Sequence, residues 1–215
     1  MIWKEKLRSG GLLYVILDEE TIKKAKLDIF SLAENLSKWG VDFFQFRFKD
    51  ICDRVACKIA TELRKIIHKR KKVFLINNRV DISYLSGADG VHLGNKDLSC
   101  REARKILGKK VIVGKTVHNL RELMLFEKEK VDYISVGPIF ETALKSSLVP
   151  LKDKIRQFIK RAKKPLFVIG GIDLKNVKSL LKMGIKNIVV CRGVILSKDI
   201  KSTVLKLKQC LEKVC

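Results

Sequence analysis

The sequence lacks any hydrophobic run of the roughly 18 residues that a membrane-spanning helix needs. The segment Met1–Arg8 has no apolar core of the kind found in a secretory signal. These two absences predict a cytoplasmic protein with no membrane partner. No linker-like stretch divides the 215 residues, so we expect one domain over residues 1–215.

The six cysteines lack the patterns of metal or redox sites. None belongs to a Cys-x-x-Cys pair, and none has a histidine at a spacing that suits zinc. We therefore predict unpaired thiols in a reducing compartment.

Acidic residues are scarce, at 23 against 46 lysines and arginines, which gives a net charge of +23. Such an excess suggests nucleic-acid binding. However, the basic residues are spread over many predicted helices, and no aromatic side chains alternate with them to stack on bases. We predict a solvated basic surface with a weak attraction for polyanions and no specific nucleic-acid partner.

Short apolar, β-branched runs recur about every 25 residues, the length of one βα unit. Several are apolar on both faces, as the strands of a covered parallel sheet must be. The segments between them have helical spacing, and Ser99-Cys-Arg-Glu102 predicts a capping box. These features predict an α/β protein with a (β/α)8 TIM barrel, and a doubly wound open sheet is the alternative. The eight runs are Leu12–Leu17, Val41–Phe48, Val73–Asn77, Gly90–Leu93, Val111–Gly114, Tyr133–Gly137, Leu166–Gly170 and Asn187–Cys191.

Polar residues and glycines collect where the predicted strands end, which is where such barrels place their active sites. In the second strand, Gln45, Arg47 and Lys49 alternate with Phe46 and Phe48, so the three polar side chains share one face. Because unpaired buried charge is costly, we expect these side chains to bind a phosphate or diphosphate near the rim.

Two glycine corners follow the last two predicted strands. Gly170-Gly171 and Arg192-Gly193 would allow an anion to approach backbone N–H groups. Barrels that bind phosphate commonly use these two loops, so we predict a second phosphate position here.

Two further side chains have more than one interpretation. Asp97 could ligate Mg²⁺ or act as a helix cap or surface acid. His118, just past the fifth strand, could transfer a proton or form a structural hydrogen bond.

The chain resembles the thiamine phosphate synthase family, which includes tautomerase-type relatives that act on the thiazole half of thiamine. The likeness runs from Leu13 to about Ile195. The matching segments are Gln45–Lys49, Ile76–Asp81, Gly87–Gly94 with Asp97, Gly114–His118, Tyr133–Phe140, Thr142 with Lys145, and Val168–Ile172.

The resemblance implies a Mg²⁺-dependent transferase that joins hydroxymethylpyrimidine diphosphate to a thiazole phosphate, giving thiamine phosphate and diphosphate. It implies catalytic roles for Lys145, Thr116 and His118, and metal-ligand positions at Asn78 and Asp97. The substrate-binding positions that it implies are Gln45, Arg47, Lys49, Asn77, Thr142, Lys145, Gly171, Arg192 and Gly193.

The chain departs from the family pattern at several positions. An expected Mg²⁺ carboxylate is Asn78, a hydroxyl of the Thr-x-Thr-Lys loop is replaced by Leu144, and a serine near the phosphate turn is Arg192. Two alternatives therefore stay open: a thiazole tautomerase-type enzyme that uses His118, and a non-catalytic binder of phosphate ligands. The sequence also leaves monomer and homo-oligomer open.

Overall fold

The computed structural model describes residues 2–141 and 149–213. Eight parallel strands pair in chain order, and the eighth closes on the first, so the sheet is a closed barrel. The strands are β1 (Leu13–Asp18), β2 (Phe43–Arg47), β3 (Val73–Asn77), β4 (Gly90–Leu93), β5 (Ile112–Val117), β6 (Tyr133–Val136), β7 (Leu166–Ile169) and β8 (Asn187–Val190).

Helices follow the strands and surround the barrel. They are α1 (Ile2–Ser9), α2 (Glu19–Lys24), α3 (Ile29–Lys38), α4 (Asp53–His68), α5 (Val80–Ser86), α6 (Cys100–Leu107), α7 (Leu120–Glu127), α8 (Ile155–Arg161), α9 (Val177–Lys182), α10 (Arg192–Ile195) and α11 (Ile200–Glu212). None of the helices in the described ranges is long and apolar enough to cross a membrane.

The hydrophobic residues form two cores because each strand is buried on both faces. On β2, Phe44 and Phe46 belong to the outer core between the strands and the helices, whereas Phe43 belongs to the inner core. Leu7 of α1 also belongs to the inner core, so this helix packs against the barrel interior. Alternation along the strand decides which side chain enters which core.

Four large rings fill the middle of the barrel, and we call Tyr14, Phe43, Tyr133 and Phe167 the aromatic layer. Their ring centroids lie 5.1–6.2 Å apart, within the range of favourable aromatic contacts. A Cβ at Gly114 would lie 2.1 Å from the Tyr133 ring. Glycine at this position of β5 therefore leaves the space that the Tyr133 ring occupies.

The prediction of a (β/α)8 barrel is confirmed, and the open-sheet alternative is wrong because β8 pairs with β1. Strand β5 extends three residues beyond its predicted end, so Thr116 lies inside the strand. The capping box of Ser99 and Glu102 is present. Helices α1 and α10 lie outside the predicted pattern. The five cysteines that lie within the described ranges are free thiols.

Candidate active site at the carboxyl end of the barrel

A cavity of about 240 Å³ opens at the carboxyl ends of the strands, and we call it the mouth cavity. Its wall combines residues from β1, β2, β5, β7 and β8 with residues that follow β5, β6, β7 and β8. Six of the predicted site residues line it: Arg47, Thr116, His118, Gly171, Arg192 and Gly193. Side chains and glycine corners far apart in the sequence thus meet at one end of the barrel.

Arg47 is held at the cavity wall by an acid that the sequence prediction missed. Its guanidinium forms a salt bridge with the buried carboxylate of Asp18. Asp18 also accepts hydrogen bonds from the backbone N–H and the hydroxyl of Thr21, at 3.1 and 2.7 Å. Asp18 is the last residue of β1, so its position at a strand end was the signal that could have identified it.

The three polar residues of the second-strand pattern lie in three different surroundings. Gln45 is buried inside the barrel and Arg47 ends the strand, whereas Lys49 lies beyond the strand and is exposed. The loop that contains Lys49 is fixed by Glu19, whose carboxylate accepts from the backbone N–H groups of Lys49 and Asp50 at 3.1 and 3.2 Å. The prediction that Lys49 shares a strand face with Gln45 and Arg47 is wrong because β2 ends at Arg47.

Glu19 has a perturbed acidity that follows from these contacts. Burial alone would raise the pKa of its carboxyl group. The hydrogen bonds from the Lys23 ammonium and from the backbone N–H groups of Asp50 and Lys49 outweigh burial, so the pKa lies below its usual value. The carboxylate is therefore the form that holds the loop in place.

A row of buried polar side chains connects the aromatic layer to the mouth cavity. The Gln45 amide donates to the Tyr14 hydroxyl at 2.5 Å, and the Tyr14 and Tyr133 hydroxyl oxygens lie 3.3 Å apart. Nδ1 of His92 lies 2.8 Å from the Tyr133 hydroxyl, and Nε2 lies 2.7 Å from the hydroxyl of Thr116. Of these five, Thr116 is the residue whose side chain lines the cavity.

His118 has a ring orientation that determines which nitrogen is protonated. Nδ1 contacts the carbonyl oxygen of Gly137, and a carbonyl can only accept a hydrogen bond. Nδ1 therefore has the proton in the neutral ring, and Nε2 is left as a proton acceptor. The backbone N–H of His118 donates to Glu122 at 2.7 Å, which fixes the start of this loop.

The glycine corner after β7 is required by close backbone contacts. Gly171 has a φ of +64°, and a Cβ there would lie 2.5 Å from the carbonyl oxygen of Glu141. A Cβ at Gly193 would lie 2.3 Å from the carbonyl oxygen of Ile172. The loops after β6, β7 and β8 therefore touch one another along one side of the mouth cavity.

The predicted metal positions, with Asn77, lie on the loops that follow β3 and β4. Asn77 is half-buried at the end of β3, and Asn78 is exposed with a φ of +64°. The backbone N–H of Asn78 donates to the carbonyl of His92 at 2.9 Å. The Asp97 carboxylate accepts from the backbone N–H of Gly94 at 2.6 Å.

The remaining predicted residues divide into two groups. Within residues 2–141 and 149–213, the cavity wall does not include Gln45, Lys49, Asn77, Asn78 or Asp97. The same ranges contain no cluster of three histidine, cysteine or acidic side chains arranged to bind a metal. Thr142, Leu144 and Lys145 lie outside the described residues.

Comparison with known proteins identifies the family. A family model described as thiamine monophosphate synthase matches residues 13–194. The chain belongs to the thiamine monophosphate synthase family. This match spans all eight strands, from β1 to β8, so it includes every loop that borders the mouth cavity.

Curated thiamine monophosphate synthase relatives differ in length. A thiamine-phosphate synthase from Persephonella marina is 34% identical and covers 93% of this chain and 95% of its own. One from Prochlorococcus marinus subsp. pastoris is 37% identical over 84% of this chain but only 52% of its own. The chain therefore spans nearly all of some relatives and about half the length of others.

Solved structures agree with the family at the level of the whole barrel. A thiamine phosphate pyrophosphorylase from Pyrococcus furiosus superimposes with a TM-score of 0.85 at 30% identity, covering 99% of this chain and 98% of its own. A 3-hexulose-6-phosphate synthase from Salmonella typhimurium has a TM-score of 0.67 at 19% identity, which shows the fold alone.

Proposed function

We propose that this protein is a thiamine phosphate synthase that joins hydroxymethylpyrimidine diphosphate to a thiazole phosphate and releases diphosphate. The observation that supports this most directly is that Arg47, Thr116 and Gly171 line one cavity in a chain of this family. A cation, a hydroxyl and a glycine corner are suited to two phosphorylated ligands.

The diphosphate group would bind on the β2 side of the cavity. Arg47 is oriented there by Asp18, so its remaining N–H groups can contact phosphate oxygens in a fixed geometry. Lys49 and Lys145 would add positive charge, and Gln45 and Asn77 would contact the diphosphate or the pyrimidine. Thr116 would donate to the leaving group, where charge develops as the C–O bond breaks.

The thiazole phosphate would bind beside the glycine corners that follow β7 and β8. Gly171, Arg192 and Gly193 line the mouth cavity there. Arg192 takes the place where the family usually has a serine, so a charge-assisted contact would replace a hydroxyl contact. His118 would contact one of the two substrates, and Thr142 would belong to the loop that encloses them.

The proposal includes Mg²⁺. Asp97 and Asn78 offer oxygen atoms, the donors that Mg²⁺ prefers, and substrate phosphates commonly complete its coordination. Their loops are adjacent, because Asn78 bonds to His92 on the strand that leads to Asp97. These residues would hold the ion, which when bound would neutralise charge on the departing diphosphate. One domain over residues 1–215, cytoplasmic location and the absence of a specific nucleic-acid partner also belong to this proposal.

The reaction itself is the direct test. Purified protein is mixed with both substrates at several Mg²⁺ concentrations, and thiamine phosphate is measured. We expect product that depends on Mg²⁺. Arg47→Met should lower kcat/KM roughly 100-fold through loss of an oriented cation, whereas Arg54→Met, an exposed arginine on α4, should leave it unchanged. Failure to form product under any metal condition would reject the proposal.

The role of position 78 has a separate test. Asn78→Asp adds a second carboxylate, so the Mg²⁺ concentration for half-maximal activity should fall. Asn35→Asp on α3 makes the same change of charge far from the loops of β3 and β4 and should not alter the metal dependence. If both variants depend on Mg²⁺ as the original protein does, position 78 does not contact the ion.

One observation favours a second candidate, a tautomerase-type enzyme. The contact of His118 with Gly137 leaves Nε2 as a base on the wall of the mouth cavity. In that case the protein would isomerise a thiazole phosphate precursor, and His118→Gln would abolish the isomerisation. Binding of thiazole phosphate without either reaction would instead identify a non-catalytic binder.

A further inference from the structure

The buried polar side chains beneath the mouth cavity are joined by hydrogen bonds whose donors and acceptors follow one order along the row. It begins at Gln45, whose amide nitrogen donates to the Tyr14 hydroxyl. An amide N–H has no capacity to accept. Tyr14 therefore uses its lone pair toward Gln45, and its own proton is available for the hydroxyl oxygen of Tyr133, 3.3 Å away.

The two tyrosines keep their protons. Both are fully buried, and burial raises the pKa of each phenol far above its ordinary value. Tyr133 accepts from Tyr14, so its own proton is directed to its other neighbour, Nδ1 of His92, at 2.8 Å. Each donor is thus followed by the next acceptor along the whole row from Gln45 on β2 to His92 on β4.

The next hydrogen bond in the row joins His92 to Thr116. An imidazole that accepts at Nδ1 has its proton on Nε2 when it is neutral. Nε2 lies 2.7 Å from the Thr116 hydroxyl oxygen, so His92 donates and Thr116 accepts. The hydroxyl proton of Thr116 is then directed away from the ring, and Thr116 lines the mouth cavity.

We propose that His92 is a positioning residue that makes Thr116 a hydrogen-bond donor toward an anionic oxygen in the mouth cavity. This inference rests on the proposed function, in which that oxygen belongs to the departing diphosphate. A hydroxyl that is already oriented needs no reorganisation when charge develops beside it. In the opposite tautomer, Thr116 would donate to His92 and present only lone pairs to an anion.

The location of His92 excludes direct contact with the ligand. The residue is buried on β4, with its ring stacked on that of Tyr133 at a centroid distance of 5.6 Å. It is absent from the cavity wall among the described residues, whereas Thr116 is present. His92 therefore acts through Thr116, and its effect should disappear when the hydroxyl of that residue is removed.

The first experiment measures the tautomer without reference to activity. The full chain is labelled with ¹⁵N, and long-range couplings from the ring protons of His92 identify which nitrogen lacks a proton at pH 7. We expect that nitrogen to be Nδ1. In Tyr133→Phe, the donor to Nδ1 is lost and the fraction of the Nε2–H tautomer should fall. A proton on Nδ1 in the original protein would overturn the inference.

The second experiment is a double-mutant cycle on thiamine phosphate formation. His92→Leu and Thr116→Val should each lower kcat about 30-fold with little change in KM, and the double variant should be no slower than either. His92→Gln retains an N–H donor and should recover part of the rate. The inference would be contradicted if the loss of kcat in the double variant equalled the product of the two single losses. It would also be contradicted if kcat were unchanged in folded His92→Leu.

The two experiments separate this inference from the proposed function. If no thiamine phosphate forms in the original protein, the proposed function fails while the tautomer measurement still decides the orientation of Thr116. If product forms and His92 has its proton on Nδ1, the proposed function stands and the positioning role is rejected. Should His92→Leu fail to fold, the tautomer in the original protein remains the deciding observation.

Discussion

The middle of the barrel and its carboxyl end are built from different residues for different purposes. The aromatic layer of Tyr14, Phe43, Tyr133 and Phe167 is fully buried and closely packed. The mouth cavity, by contrast, is lined by glycines, two half-buried arginines and apolar side chains, and holds about 240 Å³ of space. The first region is filled by side chains, and the second contains open space.

From this difference we expect that the residues important for stability and those important for activity lie in separate parts of the barrel. Truncating a ring in the middle should destabilise the fold without altering the ligand contacts. Changing a residue at the mouth should alter activity more than stability. The buried polar row from Gln45 to Thr116 connects the two regions. Substitutions in this row are therefore expected to affect both stability and activity.

The largest effect on stability is expected in the aromatic layer. Phe167→Ala removes a fully buried ring that contacts three other rings, so the free energy of unfolding should fall by about 3–5 kcal/mol. Chemical denaturation measures this change. Tyr84→Ala removes an exposed ring and should leave stability nearly unchanged, and a similar loss in both variants would refute the contrast.

The largest effect on activity is expected at the glycine corner. Gly171→Ala places a Cβ 2.5 Å from a carbonyl oxygen, so the loops of the mouth cavity must shift and kcat/KM should fall roughly 100-fold. Gly87→Ala is the matched control, because Gly87 has a similar φ of +66° but an added Cβ there would meet no atom closer than 3.8 Å. Both variants should lose roughly 1–2 kcal/mol of stability from backbone strain, whereas activity should fall only in Gly171→Ala.

A smaller, pH-dependent effect is expected at Glu19, which supports the loop of Lys49. Glu19→Gln removes the charge that accepts three hydrogen bonds, so stability at pH 7 should fall by about 1–2 kcal/mol. Because the pKa of Glu19 is lowered in the folded protein, this contribution is complete above its unfolded pKa and is lost as the pH falls through the folded value.

A matched control for Glu19 is available on α3. Glu34 pairs with Lys38 at the same i,i+4 spacing as Glu19 with Lys23, but both side chains are solvent-exposed. Glu34→Gln should leave the denaturation midpoint nearly unchanged. The prediction is contradicted if the difference in the free energy of unfolding between Glu19→Gln and the original protein is as large at pH 3 as at pH 7.

The smallest effect concerns thiol reactivity at the edge of the mouth cavity. Burial raises the pKa of the Cys191 thiol to about 12, so it remains protonated and unreactive at pH 8. Cys52 is exposed and should react with iodoacetamide first, as peptide mass spectrometry can show. Rapid alkylation of Cys191 in the folded protein would mean that the mouth is more open than described.

The sequence predicted the site better where side chains alternate along a strand than where loops turn. Alternation placed Gln45 and Arg47 on one face, and strand ends placed Gly171 and Gly193 at the mouth. It failed at Lys49 because β2 ends at Arg47, and the backbone that follows is bound by the Glu19 carboxylate instead of by a neighbouring strand. The acid partner of Arg47 was missed because a strand-end position places Asp18 at the mouth but does not show which side chain it pairs with.

The number and order of the strands could be predicted from the residue pattern, because apolar runs at the length of a βα unit can be buried in few other ways. The same pattern also predicted which residue types gather at the strand ends. Only the tertiary structure decided that β8 closes on β1, that Asp18 orients Arg47, and that His92 lies between Tyr133 and Thr116. These three features depend on contacts between residues far apart in the chain, and the spacing of neighbouring residues does not predict such contacts.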